Sequence, residues 1–133
     1  MNRAIVLDTF ALVRFFKKEQ GSERVKALLI TATRGKTPVL MSEISAGELY
    51  YIVARKLGAE RAEEIVASLS AIPITLLPTT WELTLAAARL KAQWRLSYAD
   101  CFTLASALEQ HAAVVTGDPE FQQVKHLLPI EWV

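Results

Sequence analysis

Five short apolar runs, separated by longer segments of helical pattern, constrain the fold of this chain more than any other feature. The runs are Ala4–Leu7, Val39–Met41, Ile74–Leu77, Ala113–Thr116 and Ile130–Val133. Short apolar runs of this kind are typical of strands buried on both faces, and such strands are typical of parallel sheets covered by helices. We therefore predict an α/β fold with three layers, α/β/α, around a central and mostly parallel sheet of four to five strands.

The segments between these runs show helical periodicity, with apolar residues recurring every three or four positions. The predicted helices are Val13–Lys18, Glu23–Thr33, Glu43–Leu57, Ala59–Ser70, Trp81–Trp94 and Tyr98–Gln110. Trp81 and Trp94 are expected to pack against the sheet. The chain has 133 residues and shows no linker, repeat or low-complexity segment, so residues 1–133 are predicted to form a single domain.

Composition excludes several classes of protein. The 15 Lys and Arg residues nearly balance the 14 Asp and Glu residues, whereas a nucleic-acid coat protein would be strongly basic. A local basic rim would still be enough for a nucleic-acid enzyme. No apolar segment approaches the roughly 18 residues of a membrane span, and Asp8 interrupts the N-terminal run. These patterns predict that the chain has no membrane segment. The single cysteine, Cys101, cannot form an intramolecular disulfide, which fits a reducing compartment, so we expect a cytoplasmic protein.

Two aspartates follow predicted strands at the position where this class of fold binds its ligands. Asp8 comes directly after the first strand, and Asp118 lies two residues beyond Thr116 at the end of the fourth. In open α/β sheets, ligands bind in the crevice beyond the carboxyl ends of the strands. Asp8 and Asp118 are therefore expected to point into one crevice if their strands are neighbours.

Glu48 and Asp100 lie on the apolar faces of predicted helices, where a charge is costly. Glu48 shares a face with Ile44 and Ile52, and Asp100 shares a face with Leu104. A carboxylate in such a place is destabilising unless it is paired or bound to a cation. Neither face has a Lys or Arg one turn away from the acid. Both acids lie in the first two turns of their helices, which places them at the crevice end of the sheet.

Each acid also has a purely structural interpretation. Asp8 and Asp118 can cap the helical turns that follow them, and Ser45–Glu48 and Ser97–Asp100 both match the capping-box pattern. Four acids in one crevice, however, would repel one another unless a cation neutralised them. Oxygen-only ligands favour Mg²⁺ or Mn²⁺ over zinc. Such a site suits phosphodiester hydrolysis by in-line attack of metal-activated water.

The ordered set of four acids resembles the active site of the PIN-domain nucleases, and in particular that of the VapC toxins of VapBC toxin–antitoxin modules. The matching segments are Val6–Thr9, Ser42–Leu49, Ser97–Ala105 and Val115–Phe121. The resemblance extends over nearly the whole chain and implies a PIN-like domain. It implies that the catalytic, metal-holding acids are Asp8, Glu48, Asp100 and Asp118. It also implies supporting roles for the hydroxyls of Thr116 and Thr9.

The resemblance further implies a Mg²⁺- or Mn²⁺-dependent endoribonuclease that acts on structured RNA such as tRNA or rRNA. A small antitoxin that inhibits it and a homodimeric assembly are implied in the same way. Arg14 and Arg95 are near Asp8 and Asp100 in sequence, which makes them the candidates for contacts with RNA phosphates.

Two pairs of adjacent aromatic residues, Phe15–Phe16 and Tyr50–Tyr51, fall in predicted helices. Neighbouring side chains on a helix point about 100° apart, so both members of a pair cannot face the core. We expect one member of each pair to be exposed and to be covered by an antitoxin segment or a second subunit.

Two other functions are compatible with the same residues. A non-enzymatic module that binds RNA or a partner would use the acids only as helix caps, and Asp100→Asn would then leave its function intact. Another metal phosphohydrolase, such as a phosphatase of small substrates, would also need the acids. A haloacid-dehalogenase-type phosphatase has a second aspartate two residues after the first, however, and this chain has Phe10 there. The sequence contains no glycine-rich phosphate loop, which disfavours a nucleotide triphosphatase.

Overall fold

The computed structural model describes residues 3–133, and these form one five-stranded sheet in which every pair of neighbouring strands is parallel. The strands are β1 (Ile5–Leu7), β2 (Val39–Ser42), β3 (Thr75–Leu77), β4 (Ala113–Thr116) and β5 (Ile130–Trp132). Their order across the sheet is β3-β2-β1-β4-β5. The predicted parallel sheet is confirmed, and the C-terminal run is one of its two edge strands.

Six α-helices lie between the strands. They are α1 (Thr9–Lys17), α2 (Ser22–Arg34), α3 (Glu43–Leu57), α4 (Ala59–Ser68), α5 (Trp81–Gln93) and α6 (Tyr98–Gln110). A 3₁₀ turn, Leu69–Ala71, extends α4, and a second one, Pro119–Val124, follows β4. None of the helices in residues 3–133 combines the length and the apolar character that a membrane crossing requires.

The prediction that the first helix starts at Val13 is wrong, because α1 starts at Thr9. Asp8 has an extended backbone, and its Oδ1 accepts a hydrogen bond from the backbone N–H of Ala11 at 2.8 Å. This N-cap satisfies one of the otherwise unpaired N–H groups of the first turn. The helix can therefore begin directly after β1. At α3, the residue that caps the helix is Ser42 and not Ser45.

The sheet has a buried core on each face, as a three-layer α/β/α fold requires. Val6, Leu40 and Val114 pack with residues of α5 and α6 on one face. On the other face, β-strand residues including Leu7 and Met41 pack with residues of α1 to α4. Successive residues of a strand point to opposite faces, so each short strand contributes to both cores.

The expectation that both tryptophans pack against the sheet is wrong for Trp81. Trp94 is half-buried against the α5–α6 core. Trp81 is 70% exposed, because it is the first residue of α5 and follows the edge strand β3 closely. An aromatic residue at such an edge has little of the sheet to cover it.

The strand order determines where the candidate acids meet. The chain passes from β1 to β2 on one side, while β4 pairs with β1 on the other side. The carboxyl ends of β1 and β4 are therefore adjacent, and the order of the strands reverses at this point. Such a switch point opens a crevice in which parallel sheets bind ligands.

Candidate active site

Asp8 lies at the carboxyl end of β1 and is 1% exposed. Its backbone N–H donates to the carbonyl oxygen of Val115 on β4 at 3.2 Å. One carboxylate oxygen caps α1, and the other accepts a short hydrogen bond from the hydroxyl of Thr116. The side chain is thus oriented by α1 and β4 together. A carboxylate oxygen accepts more than one contact, so both oxygens can still coordinate a cation.

Asp118 reaches the same crevice from the end of β4. The Thr116 hydroxyl that donates to Asp8 also accepts the backbone N–H of Asp118 at 2.9 Å. Oδ1 of Asp118 accepts the backbone N–H of Glu120 at 2.9 Å, and Pro119 is the first residue of the 3₁₀ turn. Thr116 is therefore bonded to both of the aspartates that follow the central strands.

Asp100 enters the site from the first turn of α6 and is 8% exposed. Ser97 is the N-cap of this helix, and its hydroxyl accepts the backbone N–H of Asp100 at 3.1 Å. The cap fixes the position of the first turn, so the Asp100 carboxylate is free to point towards the other acids. A carboxylate oxygen of Asp100 lies within 4.8 Å of one from Asp118.

Glu48 comes from the second turn of α3 and is half-buried. The hydroxyl of Tyr51 donates to its Oε2 at 3.2 Å. The charge of Glu48 is the largest cause of a raised pKa at Tyr51, which keeps the phenol protonated and able to donate. The negative charge of Glu48 contributes to the raised pKa of both Asp8 and Asp100.

Glu120 is a member of the cluster that the sequence analysis did not single out. One of its carboxylate oxygens lies within 4.8 Å of oxygens from both Asp100 and Asp118. Glu120 is exposed and sits at the second position of the 3₁₀ turn. The signal in the sequence was an acid two residues after Asp118, on the far side of a proline that starts a turn.

Two acids of this cluster, Asp8 and Asp100, have raised pKa values. Burial is the main reason that the pKa of Asp8 rises from 3.8 to about 7, against the opposing effect of the hydrogen bonds it accepts. Burial is also the main reason that the pKa of Asp100 rises to about 8. A hydrogen bond with Asp118 and the charges of the neighbouring acids raise it further. Ionised carboxylates that are crowded and desolvated in this way are stabilised by a bound cation.

The cluster has the composition of a site for a hard divalent cation. Within residues 3–133, the ion pairs join other residues, and no Lys or Arg forms a salt bridge with the clustered acids. The potential ligand atoms are carboxylate oxygens, which suit Mg²⁺ or Mn²⁺. Asp100 and Asp118 lie together with Glu120, and Asp8 and Glu48 are close enough for their charges to act on Asp100.

The other residues predicted from the sequence to serve the site, Thr9, Arg14 and Arg95, differ in burial and in their hydrogen bonds. Thr9 is buried, and its hydroxyl donates to the carbonyl oxygen of Ser45 at 3.2 Å. Arg14 is half-buried, with its guanidinium 4.4 Å from the centre of the Phe10 ring, and it donates to the carbonyl oxygen of Val133 at 2.9 Å. Arg95 is exposed.

The raised pKa values predict that the protein loses stability in chelator as the pH rises. The folded pKa values of Asp8 and Asp100 lie above 3.8, so between about pH 4 and about pH 8 the folded chain binds more protons than the unfolded chain. The stabilisation is complete below the unfolded pKa and is lost as the pH passes the folded pKa. For Asp8 the shift corresponds to on the order of 4 kcal/mol at about 1.4 kcal/mol per unit. Urea unfolding in EDTA, followed from about pH 5 to about pH 9, measures this loss.

Asp8→Asn is the informative variant in this experiment, because asparagine can still cap α1 but carries no charge. It should flatten the dependence of the unfolding free energy on pH. The matched control is Glu63→Gln, which removes an exposed acid of α4 and should leave the slope unchanged. If the unfolding free energy of Asp8→Asn depends on pH as strongly as that of wild type, the raised pKa of Asp8 does not cause the loss of stability.

Comparison with known structures agrees with the geometry of the fold. VapBC from Salmonella typhimurium, solved bound to DNA, has a TM-score of 0.75 at 18% identity, with 98% of each chain covered. VapBC2 from Rickettsia felis, bound to a fragment of promoter DNA, has a TM-score of 0.74 at 16% identity. The alignment covers 96% of this chain and 97% of the Rickettsia chain. VapC20 from Mycobacterium tuberculosis, described as a toxin that cleaves the sarcin–ricin loop, has a TM-score of 0.72 at 18% identity, with 91% and 95% covered.

Sequence comparison identifies the family independently of these folds. Among curated proteins, none matches the chain significantly. The family model described as "PIN domain" matches residues 5–127. That range spans β1 to the end of the 3₁₀ turn after β4, and it includes the whole carboxylate cluster. The chain therefore belongs to the PIN domain family.

Proposed function

We propose that this chain is a Mg²⁺- or Mn²⁺-dependent endoribonuclease and the toxin of a type II toxin–antitoxin pair. The observation that supports this most directly is the convergence of Asp8, Asp100 and Asp118, with Glu48 beside them, in one crevice without a salt-bridge partner among the described residues. Membership of the PIN domain family and the likeness to VapC structures support the same assignment. The RNA substrate is inferred from the family resemblance of the four acids and from a structural relative that is described as a toxin that cleaves the sarcin–ricin loop.

The residues that would hold the cation are Asp8, Asp100 and Asp118, with Glu48 and Glu120 available as further ligands. When bound, the cation supplies an activated water and compensates the negative charge that develops on the phosphate. Asp8 and Asp118 are kept in register by Thr116, and Tyr51 holds the Glu48 carboxylate. The carboxylates are therefore oriented before substrate arrives, which reduces the reorganisation that the reaction requires.

A cavity next to the acids offers a path for the substrate backbone. It measures about 630 Å³, and it is lined by residues that include Lys91, Trp94, Arg95 and Glu120. The amide of Gln123 accepts the backbone N–H of Arg95 at 3.2 Å and donates to its carbonyl oxygen at 3.1 Å. Within residues 3–133, the Arg95 guanidinium has no hydrogen-bond or salt-bridge partner. We therefore assign a phosphate contact to Arg95 rather than to Arg14, whose guanidinium is already bonded within the chain.

A second groove, on the α1–α2 side, is the proposed antitoxin site. It measures about 970 Å³ and has Phe15 and Phe16 in its wall. Both aromatic residues are half-buried, which leaves apolar surface for a partner. The groove is bordered by more basic than acidic residues, namely Lys18, Arg24, Lys26 and Arg61 against Glu19 and Glu23. An acidic amphipathic segment of a small antitoxin would match this surface. Solved relatives that are toxin–antitoxin complexes support such a partner.

We also propose that the chain forms a homodimer through exposed apolar residues near the β3 edge. Leu76 on β3 is 41% exposed and Trp81 at the start of α5 is 70% exposed. Light scattering of the purified protein should give twice the mass of one chain, which is 14.8 kDa. Trp81→Lys should reduce the measured mass to that of one chain, because a charge would disrupt an apolar interface.

Cleavage of total RNA tests the proposed activity. Purified protein with Mn²⁺ should give discrete fragments, and EDTA should abolish them. Asp100→Asn should reduce the rate by more than the roughly 10- to 100-fold that is typical of residues that only support a metal ligand. The matched control is Glu43→Gln, because Glu43 is an exposed acid of α3 that instead accepts the backbone N–H of Thr79 at 3.1 Å. Equal cleavage by Asp100→Asn and wild type would contradict the assignment, and no cleavage by either would favour the binding module.

Arg95→Ala tests the proposed phosphate contact. Losing one charge-assisted contact should raise KM by about tenfold and reduce the salt dependence of RNA binding by about one phosphate contact. Arg89→Ala, which removes an exposed arginine of α5, is the control and should leave KM unchanged. If the two variants have the same KM as wild type, Arg95 does not contact the substrate.

Charge reversal in the second groove tests the antitoxin site. Tagged wild-type protein recovered from its native host should retain a small acidic protein that inhibits its cleavage of RNA. Lys26→Glu should lose this protein and keep its cleavage activity, because Lys26 is an exposed residue on the rim of the groove. Lys36→Glu, in the loop between α2 and β2, has the same charge change and should retain the inhibitor. Retention by Lys26→Glu would place the antitoxin elsewhere.

A further inference from the structure

Three buried hydroxyl side chains connect the elements that contribute three of the acids. The hydroxyl of Thr9 on α1 donates to the backbone carbonyl of Ser45 on α3 at 3.2 Å. The hydroxyl of Ser45 in turn lies 3.1 Å from that of Thr103 on α6. All three residues are at most 4% exposed. We call this connected set the hydroxyl chain.

Each member of the hydroxyl chain lies within one helical turn of an acid of the cluster. Thr9 follows Asp8 directly, Ser45 precedes Glu48 by three residues, and Thr103 follows Asp100 by three. Residues three apart on a helix share a face and lie about one turn apart. The hydrogen bond between α3 and α6 therefore lies one turn from Glu48 on one helix and one turn from Asp100 on the other.

The chemistry of these contacts differs from that of the surrounding core. Apolar packing has no preferred direction. A buried hydroxyl pair instead has a directional contact of about 3 Å, and burying a hydroxyl without its partner is unfavourable. The hydroxyl chain therefore opposes sliding of α3 and α6 against each other and against the start of α1.

A second buried hydroxyl on α6, that of Ser106, forms no hydrogen bond within the described residues. It lies three residues after Thr103 on the same helix and is 1% exposed. Among residues 3–133, its Oγ has no hydrogen-bond partner. The pairing of Thr103 with Ser45 is thus a specific feature of the turn next to the acids.

We propose that Thr9, Ser45 and Thr103 are positioning residues that set the separation of Asp8, Glu48 and Asp100 for binding a divalent cation. This inference rests on the proposed function, because it takes these acids as ligands of the cation. The three hydroxyls do not contact the substrate or the cation. They act on the reaction through the backbone of the elements on which the acids lie.

Calorimetric titration of the full chain with Mn²⁺ tests the inference without relying on catalysis. Thr103→Val removes the hydroxyl and keeps the branched shape, and it should weaken Mn²⁺ binding by about tenfold. Thr103→Ser restores the hydroxyl and should recover most of the affinity. Ser106→Ala, the matched control on the same helix, should bind Mn²⁺ with wild-type affinity. Ser45→Ala should weaken binding as Thr103→Val does, and the double variant should lose less than the sum of the two.

Thermal unfolding of the same variants separates positioning from simple stability. If Thr103→Val and Ser45→Ala unfold at lower temperature but bind Mn²⁺ as wild type does, the hydroxyls only hold the helices together and the inference is wrong. Equal weakening by Ser106→Ala would also overturn it. Should Thr103→Val not fold, Thr9→Val and Ser45→Ala provide the same comparison.

The outcomes also distinguish this inference from the proposed function. If wild type binds Mn²⁺ and cleaves RNA while the hydroxyl variants match it in both, only the positioning inference fails. If wild type binds no Mn²⁺, the proposed metal site fails and the positioning inference falls with it. If wild type binds Mn²⁺ without cleaving RNA and Thr103→Val weakens that binding, the positioning inference stands and the assigned reaction does not.

Discussion

Crowding of carboxylates at the carboxyl ends of β1 and β4 is the constraint on which the rest of this structure depends. Burial raises the pKa of Asp8 and of Asp100, and the charges of neighbouring acids raise both pKa values further. Without a cation, such a cluster weakens the fold that contains it. The chain tolerates this cost because an extensive apolar core lies on each face of the sheet.

The same interactions that begin the helices also hold the acids. Asp8 caps α1 while it accepts a hydrogen bond from Thr116, and Asp118 caps the 3₁₀ turn at the end of β4. Capping and function were alternative interpretations in the sequence, but the structure shows that the geometry of a cap is compatible with membership of the cluster. A side chain that is fixed by backbone N–H groups loses little further freedom when it binds an ion.

Much of the fold and of the cluster could be predicted from sequence, because both depend on local patterns. The apolar runs gave the strands, and acids beyond strand ends or on apolar helix faces gave Asp8, Glu48, Asp100 and Asp118. The start of α1 was missed because it depends on one hydrogen bond, which the Asp8 carboxylate accepts from the backbone N–H of Ala11. Glu120 was missed because a 3₁₀ turn, and not a regular helix, brings it to the site. The exposure of Trp81 depends on which strand lies at the edge, and a single run of residues does not contain that information.

The pairing of β1 with β4 has a consequence for how the protein is made. Thr116 and Asp8 are separated by 108 positions in the chain, and contacts of such long sequence separation form late in folding because a long loop must close first. A ribosome-bound chain that ends before β4 would contain α1 to α6 but not Thr116, which donates to Asp8. The carboxylate cluster thus comes together only when synthesis is nearly complete, and such an unfinished chain would have Asp8, Glu48 and Asp100 but neither Asp118 nor the assembled site.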